Sequence, residues 1–581
     1  MSRITLKELI QTKDPEFLKK YPAPLSSFTL FILKKIFKED KVNLFLDKLE
    51  DRYDLDFINA LFKLLDFSYL ISDKERMRIP AEGKLIIVAN HPLGALDALA
   101  LLKVVGEIRK DVKVVANELL LTLHNVKNLI IPIDYYSYTE KKQNLKLIEQ
   151  SLQNEEAVIF FPAEDVSRPT VRGVRDKRWR SGAIKMAQKL QAPILPIFIS
   201  GKNSPLFYSS SVLSKEISSF MLPNEVFNKE KKNISIHIGK IIPGTSLSNS
   251  PFDVNTMTRL LRKHVYLLKK GKKEVFQTEE TIIHPIDKVI LKNELKNSEL
   301  LGTTKDGKKI FLVEFDNSHN VIMEIARLRE FTFRKVGEGT GKTFDMDDYD
   351  KIYKHIVLWD DENLEIVGSY RLGVCSEIIE KHGIEKIYNT EQFVFNKEFN
   401  TYLANAVELG RSFVQMKYWG SHALDYLWQG IGAFLSKYPE HKYLFGAVSI
   451  SDNYPPEAKA MLVNYHRKWF MSDENLAKAK NPYSHSEKMD NDVNPILDGE
   501  TPKDDFMNLK RALRNFGMTI PVLVRRYVDI TEFGGTKFID FGVDESFANS
   551  IDCFIVVNLN MLKEDFRNRY YVDQKSMVDE R

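Results

Sequence analysis

Short apolar runs separated by helix-length mixed stretches organise most of this chain. Leu85-Ile86-Ile87-Val88-Ala89 has no polar position and is too short for a helix, the pattern of a strand buried on both faces. Helical spacing follows from Ala95 to Val105, then a run at Val112–Asn117, another helix, and a run at Ala157–Phe160. A helix over 181–191, a strand over 193–200 and a strand over 234–242 complete the series near Pro243. Strands alternating with helices predict an α/β layer. Residues 1–75 read as a mostly helical lead-in, and 251–300 as a lysine-rich closing helix and linker. A second α/β pattern starts near Lys309. It predicts a strand over 362–374, helices over 405–414 and 422–438, and a strand over 443–451. Residues 473–510 read as a polar surface insertion, and 520–530, 537–543 and 552–559 as strands. The expectation is two α/β domains, over 76–250 and 301–575.

Composition narrows the partners. The 581 residues carry 84 basic and 80 acidic side chains, a net charge of +4, which argues against a nucleic-acid binder. Cys375 and Cys553 supply neither a disulfide framework nor a zinc motif, and the 12 histidines show no ligand spacing, so no metal is expected. No apolar stretch reaches the roughly 18–20 residues that span a bilayer, and the first residues lack a signal-peptide core. Residues 25–45 mix Phe, Leu and Ile with Lys at helical spacing. Such a helix either lies in a headgroup interface or packs on the protein's own core. The expected location is cytoplasmic, peripheral on the inner face of the membrane.

The candidate chemistry begins where the first strand ends, at Asn90-His91-Pro92-Leu93-Gly94-Ala95-Leu96-Asp97. A carboxylate on the first turn of a helix can reach back to an imidazole and hold one tautomer. The other nitrogen is then free to take a hydroxyl proton. Downstream stand Asn117 to Asp134, then Phe161-Pro162-Ala163-Glu164-Asp165-Val166-Ser167-Arg168, then Ala192-Pro193-Ile194-Leu195-Pro196-Ile197. In this order the four blocks resemble the glycerolipid acyltransferase superfamily. The resemblance implies His91 and Asp97 as the catalytic pair. It implies substrate-binding roles for Asn90, Gly94, Asn117, Pro162, Glu164, Asp165, Arg168 and Pro196. Five residues rather than four separate His91 from Asp97, Ala163 stands where the family usually has Glu, and Asp134 where Arg is frequent. These departures point to the lyso-ornithine-lipid and hemolysin-like branch, whose acceptor has no phosphate. Arg172, Arg175, Lys177, Arg178 and Arg180 form a basic stretch suited to an acidic acyl carrier protein or to anionic headgroups.

A second ordered set contains Leu328-Arg329-Glu330, Ser369-Tyr370-Arg371, Glu408-Leu409-Gly410-Arg411 and Phe445-Gly446-Ala447. It resembles GNAT-like ornithine N-acyltransferases, relatives of acyl-homoserine-lactone synthases. Here an amine attacks a thioester, so the candidates are Glu330, a base at Glu408 or Glu391, and a carboxylate clamp at Arg371 or Arg411. Glu408 and Arg411 are also spaced to pair along a helix. Of the family's phosphate-binding loop only Gly420 fits clearly, as suits an acyl-carrier-protein donor. Tyr418, Trp419, Tyr426 and Trp428 read as core packing. The resemblance implies a bifunctional enzyme that makes an acylated amino-acid lipid, such as ornithine lipid, with acyl carrier protein or coenzyme A carrying the acyl groups and no bound cofactor. The rival readings are a lysophospholipid acyltransferase with an unrelated GNAT domain, and a non-catalytic hemolysin-like membrane binder.

Overall fold

The computed structural model describes residues 5–13, 30–31, 34–117, 123–133, 138–171, 173–213, 221–271 and 274–571. Two compact units divide the chain, 1–284 and 285–581. The division falls inside the segment expected as closing helix and linker.

The first unit is a seven-stranded sheet with helices on both faces. Its strands are β1 (Ser68–Leu70), β2 (Leu85–Ala89), β3 (Val112–Asn117), β4 (Ile130–Ile133), β5 (Ala157–Phe160), β8 (Ile194–Ser200) and β9 (Asn233–Ile238). A separate hairpin, β6 (Arg168–Thr170) and β7 (Gly173–Arg175), stands outside the sheet. The sheet order is β1-β9-β8-β2-β5-β3-β4, parallel throughout except where β8 meets β9. Uninterrupted apolar runs suit the central strands because each feeds two cores. Leu85, Ile87 and Ala89 enter one core with Leu195, Ile197 and Ile199; Ile86 and Val88 enter the other with Val158 and Phe198. Helices α1 (Ala95–Gly106), α2 (Tyr138–Gln153), α3 (Gly182–Leu190) and α4 (Val254–Leu268) cover the faces. Met257, Leu261 and Val265 of α4 are buried against the sheet, so this helix is an integral layer.

Within the expected helical lead-in, the described residues hold helices at Leu6–Lys13, Glu39–Lys48 and Asp54–Leu64. Residues 25–29 and 32–33 lie outside the described residues. Within the rest of 25–45, Phe37 is buried while Phe31 and Leu44 are exposed. Among the described residues no helix is long and apolar enough to cross a membrane.

The second unit is built on an eight-stranded mixed sheet. Its strands are β10 (Glu299–Thr303), β11 (Lys309–Val313), β12 (Lys354–Asp360), β13 (Glu365–Val374), β15 (Ala406–Val414), β16 (Tyr443–Ile450), β18 (Thr536–Asp544) and β19 (Ser550–Asn558). A small pair, β14 (Phe393–Phe395) and β17 (Ala477–Ala479), flanks it. The order is β10-β11-β12-β13-β15-β16-β19-β18, antiparallel except for β15 with β16. Helices α5 (His319–Val336), α6 (Ala423–Lys437), α7 (Pro456–Phe470), α8 (Pro502–Asn515) and α9 (Val522–Asp529) pack on it.

Three expectations are corrected. Residues 406–414 form strand β15 rather than a helix, and residues 522–529 form helix α9 rather than a strand. The segment 473–510 is no loose insertion. Leu509 and Leu513 of α8, with Val493 and Leu497, belong to the main core, and Asp505 is fully buried, accepting from Lys468, Trp469 and the Gly499 backbone.

Candidate active sites

In the first unit the first three blocks follow the carboxyl ends of β2, β3 and β5, where open α/β sheets place their clefts, while the fourth lies at the start of β8 beside β2. β2 ends at Ala89, and the chain turns through Gly94 at φ +87°, a left-handed conformation that suits glycine. Asp97, in the first turn of α1, is completely buried. Its Oδ2 accepts from the backbone N–H groups of Leu93 at 2.7 Å and Gly94 at 3.1 Å. The same oxygen lies 3.1 Å from His91 Nδ1, so the longer spacing still closes the pair. A proton on Nδ1 facing this carboxylate leaves Nε2 as the nitrogen able to take one. Burial pushes the Asp97 carboxyl up from its ordinary range, while His91 and the two backbone donors pull it back. The Phe161 ring lies beside the imidazole at 4.4 Å.

The other expected residues divide. Asn90 is buried, and its amide donates to Ile199 O at 2.9 Å and accepts from Ile199 N at 2.7 Å, tying β2 to β8. Pro196 sits inside β8 opposite Val88 and is buried among strands. Pro162 is buried, and its carbonyl accepts from the Arg180 N–H. Glu164 is exposed at φ +61° and pairs with Arg180 at 3.2 Å. Asp165 is half-buried beside it, with its N–H on Ala163 O. The Arg168 guanidinium lies 4.9 Å from the Phe207 ring centre, and burial lowers its pKa. Asn117 ends β3; Asp134 and Arg172 lie outside the described residues. Of the basic stretch, Lys177, Arg178 and Arg180 are exposed, while Arg175 stacks on Tyr266 at 5.0 Å.

Asp176 is the member that the motif blocks did not mark. It is buried, its Oδ1 accepts from Ser167 Oγ at 2.5 Å and from the His91 N–H at 3.2 Å, and its Oδ2 accepts from Trp179 Nε1 at 2.8 Å. Ser167 N–H in turn donates to His91 O at 2.7 Å. One carboxylate thus ties the histidine's own backbone to the third block.

In the second unit β15 and β16 pair only from Ala406↔Tyr443 to Glu408↔Phe445 and then part. Gly446 permits the approach at the parting point, since a Cβ there would fall 2.1 Å from Leu409 O. A bulge opens on the other side of β15: register passes from Arg371↔Gly410 to Ser369↔Phe413, so Arg411 and Ser412 oppose one residue. Such a bulge leaves a backbone N–H unpaired, the donor type that stabilises a tetrahedral oxyanion. Arg411 lies within it at φ +47°. The parted strands border a cavity of about 500 Å³. Its lining includes the polar side chains Tyr388, Arg411, Ser449, Asp544 and Asp552 and the apolar Leu409, Val448 and Leu523.

Beside it lies a web of three arginines and three aspartates. Arg329, fully buried, grips Asp350 through two bonds of 2.8 Å. Arg371 donates to Asp347 at 2.7 Å, and Arg411 to both oxygens of Asp345 at 2.9 Å. Burial alone would raise the Asp350 carboxyl; Arg329 and Arg371 outweigh it and hold it well below the usual range. Glu408 is buried and accepts from Tyr353 OH, Tyr388 N, Asn389 N and Asn389 Nδ2, and burial pushes its carboxyl up.

Of the expected residues, the cavity wall therefore includes Arg411 but neither Arg371 nor Glu408. Glu330 is spent on Arg334, Thr340 and the Gly341 backbone. Glu391 is exposed and accepts from Tyr349 OH at 2.8 Å. Gly420 turns at φ +78° just before α6, with open space where a Cβ would stand. Tyr426 and Trp428 are core, whereas Trp419 is half exposed, its indole N–H on Val414 O. Sequence reading missed the cavity's carboxylates Glu338, Asp544 and Asp552. Burial raises Glu338 to about 7; burial, reinforced by Asp544, raises Asp552 to about 7 against the Ser449 hydrogen bond and Arg411. Among the described residues no cluster is suited to a metal ion.

Comparison with known proteins agrees with these two units. Residues 10–274 match the family described as Acyltransferase, and residues 328–429 match the Acetyltransferase (GNAT) domain. A glycine N(alpha)-acyltransferase of Bacteroides thetaiotaomicron is 32% identical over 304 residues, which are 50% of this chain and 89% of that protein. A lyso-glycine lipid O-acyltransferase of the same organism is 30% identical over 254 residues, covering 42% of this chain and 91% of that protein. An L-ornithine N(alpha)-acyltransferase of Rhizobium meliloti is 25% identical over 235 residues, 39% of this chain and 71% of that protein. The chain belongs to the acyltransferases, and it carries an acyltransferase domain and a GNAT domain on one polypeptide.

Proposed function

We propose that this enzyme makes a diacylated amino-acid lipid in two steps, with glycine as the head group. The observation that carries the reading is the presence, on one chain, of matches to both an N-acyltransferase of glycine and an O-acyltransferase of lyso-glycine lipid. Glycine is preferred to ornithine because the ornithine relative is the more distant, at 25% against 32% identity.

In the first step the second unit joins the glycine amine to a 3-hydroxyacyl group presented as a thioester. The gap between β15 and β16 receives the thioester, and an N–H of the bulge at Arg411-Ser412 faces the oxyanion. In the second step His91 Nε2 takes the proton of the 3-hydroxyl, the alkoxide attacks a second acyl thioester, and the imidazolium returns the proton to the departing thiolate. Asp97 stabilises the imidazolium in between. Acyl carrier protein or coenzyme A delivers both acyl groups. Lys177, Arg178 and Arg180, exposed in one stretch, suit the acidic surface of the former. The product is a lipid, so the protein works at a membrane surface, on its cytoplasmic side.

Lipid extracts from a host without amino-lipids test this. Expression of the chain is expected to add a diacylated glycine. A diacylated ornithine instead would overturn the head-group assignment. No new amino-lipid, with the protein folded and membrane present, would overturn the whole reading.

A further inference from the structure

We propose that Asp552 is the general base of the second unit, taking the ammonium proton of the amino acid as its nitrogen attacks the thioester. The proposal rests on the N-acylation reading above. Asp552 sits in the middle of β19, held by pairing on both sides, opposite Ser449 of β16 and Gly542 of β18. It is buried and borders the cavity that the parting of β15 from β16 opens. A nucleophile bound there meets the thioester at the β15 bulge from the β19 side.

The surroundings suit a carboxylate that changes charge. Arg411 from β15, Tyr388 from the segment before β14, Asp544 at the end of β18 and Glu338 after α5 all border the same cavity. Arg411 is already committed to Asp345 and Tyr388. Burial and Asp544 together bring Asp552 to about 7, close to working pH, where a base is most effective. Of the two bases expected from sequence, Glu408 has four donors, and neither it nor Glu391 is in the cavity wall. Glu338 has a similar titration range but lies just past the C-terminal cap Gly337 of α5, off the sheet that carries the bulge.

The step balances without a further reactant. The ammonium N–H bond breaks and its proton passes to Asp552. The C–N bond forms, the tetrahedral intermediate expels the thiolate, and of the two protons left on nitrogen one goes to that sulfur and the other stays as the amide N–H. Products are the amide and a thiol, and Asp552 releases its proton to solvent.

The test uses the full chain, an acyl thioester and glycine, with rates read across pH. Wild type is expected to show an N-acylation limb rising through pH about 7 and then levelling. Asp552→Asn is expected to fall about 10²–10⁴-fold at neutral pH and to lose that limb, its rate climbing with free amine to the top of the range. A thermal melt of each variant verifies folding. Ser449→Ala supplies the independent arm: loss of a hydroxyl that favours the charged carboxylate moves the limb to higher pH. An Asp552→Asn enzyme with the wild-type limb and rate sinks the assignment while leaving N-acylation intact. An unmoved limb in Ser449→Ala also counts against it, and decides if Asp552→Asn does not fold. A wild type that acylates no amine sinks both readings.

Discussion

Replacing Asp97 by asparagine keeps the shape of the side chain and removes its charge. The new Oδ1 can occupy the place of Oδ2, still accept from Leu93 N and Gly94 N, and still face His91 Nδ1 at about 3.1 Å, so the turn survives. What disappears is the attraction between a carboxylate and the imidazolium that forms in the transition state. For unit charges 3.1 Å apart at an effective dielectric of about 20, that attraction is roughly 5 kcal/mol. His91 keeps 15% side-chain exposure, and the solvent it admits lowers the figure to about 3–5 kcal/mol, or 10²–10⁴ in rate. Stability moves much less. The asparagine NH₂ enters a buried position without a partner, at about 1–3 kcal/mol, and loss of the desolvated charge offsets part of this. The assay is O-acylation of synthetic N-(3-hydroxyacyl)glycine by purified Asp97→Asn, alongside a thermal melt. A folded variant losing less than about tenfold would refute the electrostatic role of Asp97.

Two further outcomes concern the second unit. Arg329→Met takes both 2.8 Å bonds from buried Asp350 and leaves it the Asp347 N–H at 3.0 Å and Arg371 at 3.4 Å, so it should cost about 3–5 kcal/mol and lower Tm by on the order of 10 °C. An Arg329→Met protein that melts with wild type would contradict this. His466 is buried with its Nδ1 2.7 Å from Leu462 O, and burial lowers its pKa to about 4. The unfolded chain therefore binds this proton first, so stability is lost as pH falls from about 6.5 toward 4, roughly 2 kcal/mol by pH 5. Urea unfolding at pH 7.5 and 5 should show the loss, and His466→Leu should reduce it.

The sequence patterns were most readable where a strand is buried on both faces. The run 85–89 could be nothing else of its length, and the blocks that follow such strands meet because parallel strands present their carboxyl ends together. Segment 405–414 misled for a physical reason. Glu408 and Arg411 are three apart, a helical interval, and both reach Tyr388. The bulge inserts one residue into β15 and so brings onto one side two positions that plain alternation would separate. In 522–529 the β-branched residues signalled a strand, yet Val524 and Tyr527, three apart, are the ones buried. Asp176 carried no signal because its partners lie at positions 91, 167 and 179. Asp552 was hidden in a strand-like run, DCFIVVNL, where a single acid reads as an edge.

The most direct measurement compares lipids from a host without amino-lipids expressing wild type or His91→Ala, by mass spectrometry. Two acyl transfers in sequence predict diacylated glycine from wild type and accumulation of mono-N-acylglycine from His91→Ala. Diacylated lipid from His91→Ala at wild-type levels would contradict the account of the first site, and the absence of any acylglycine from both would contradict the pairing of the two activities.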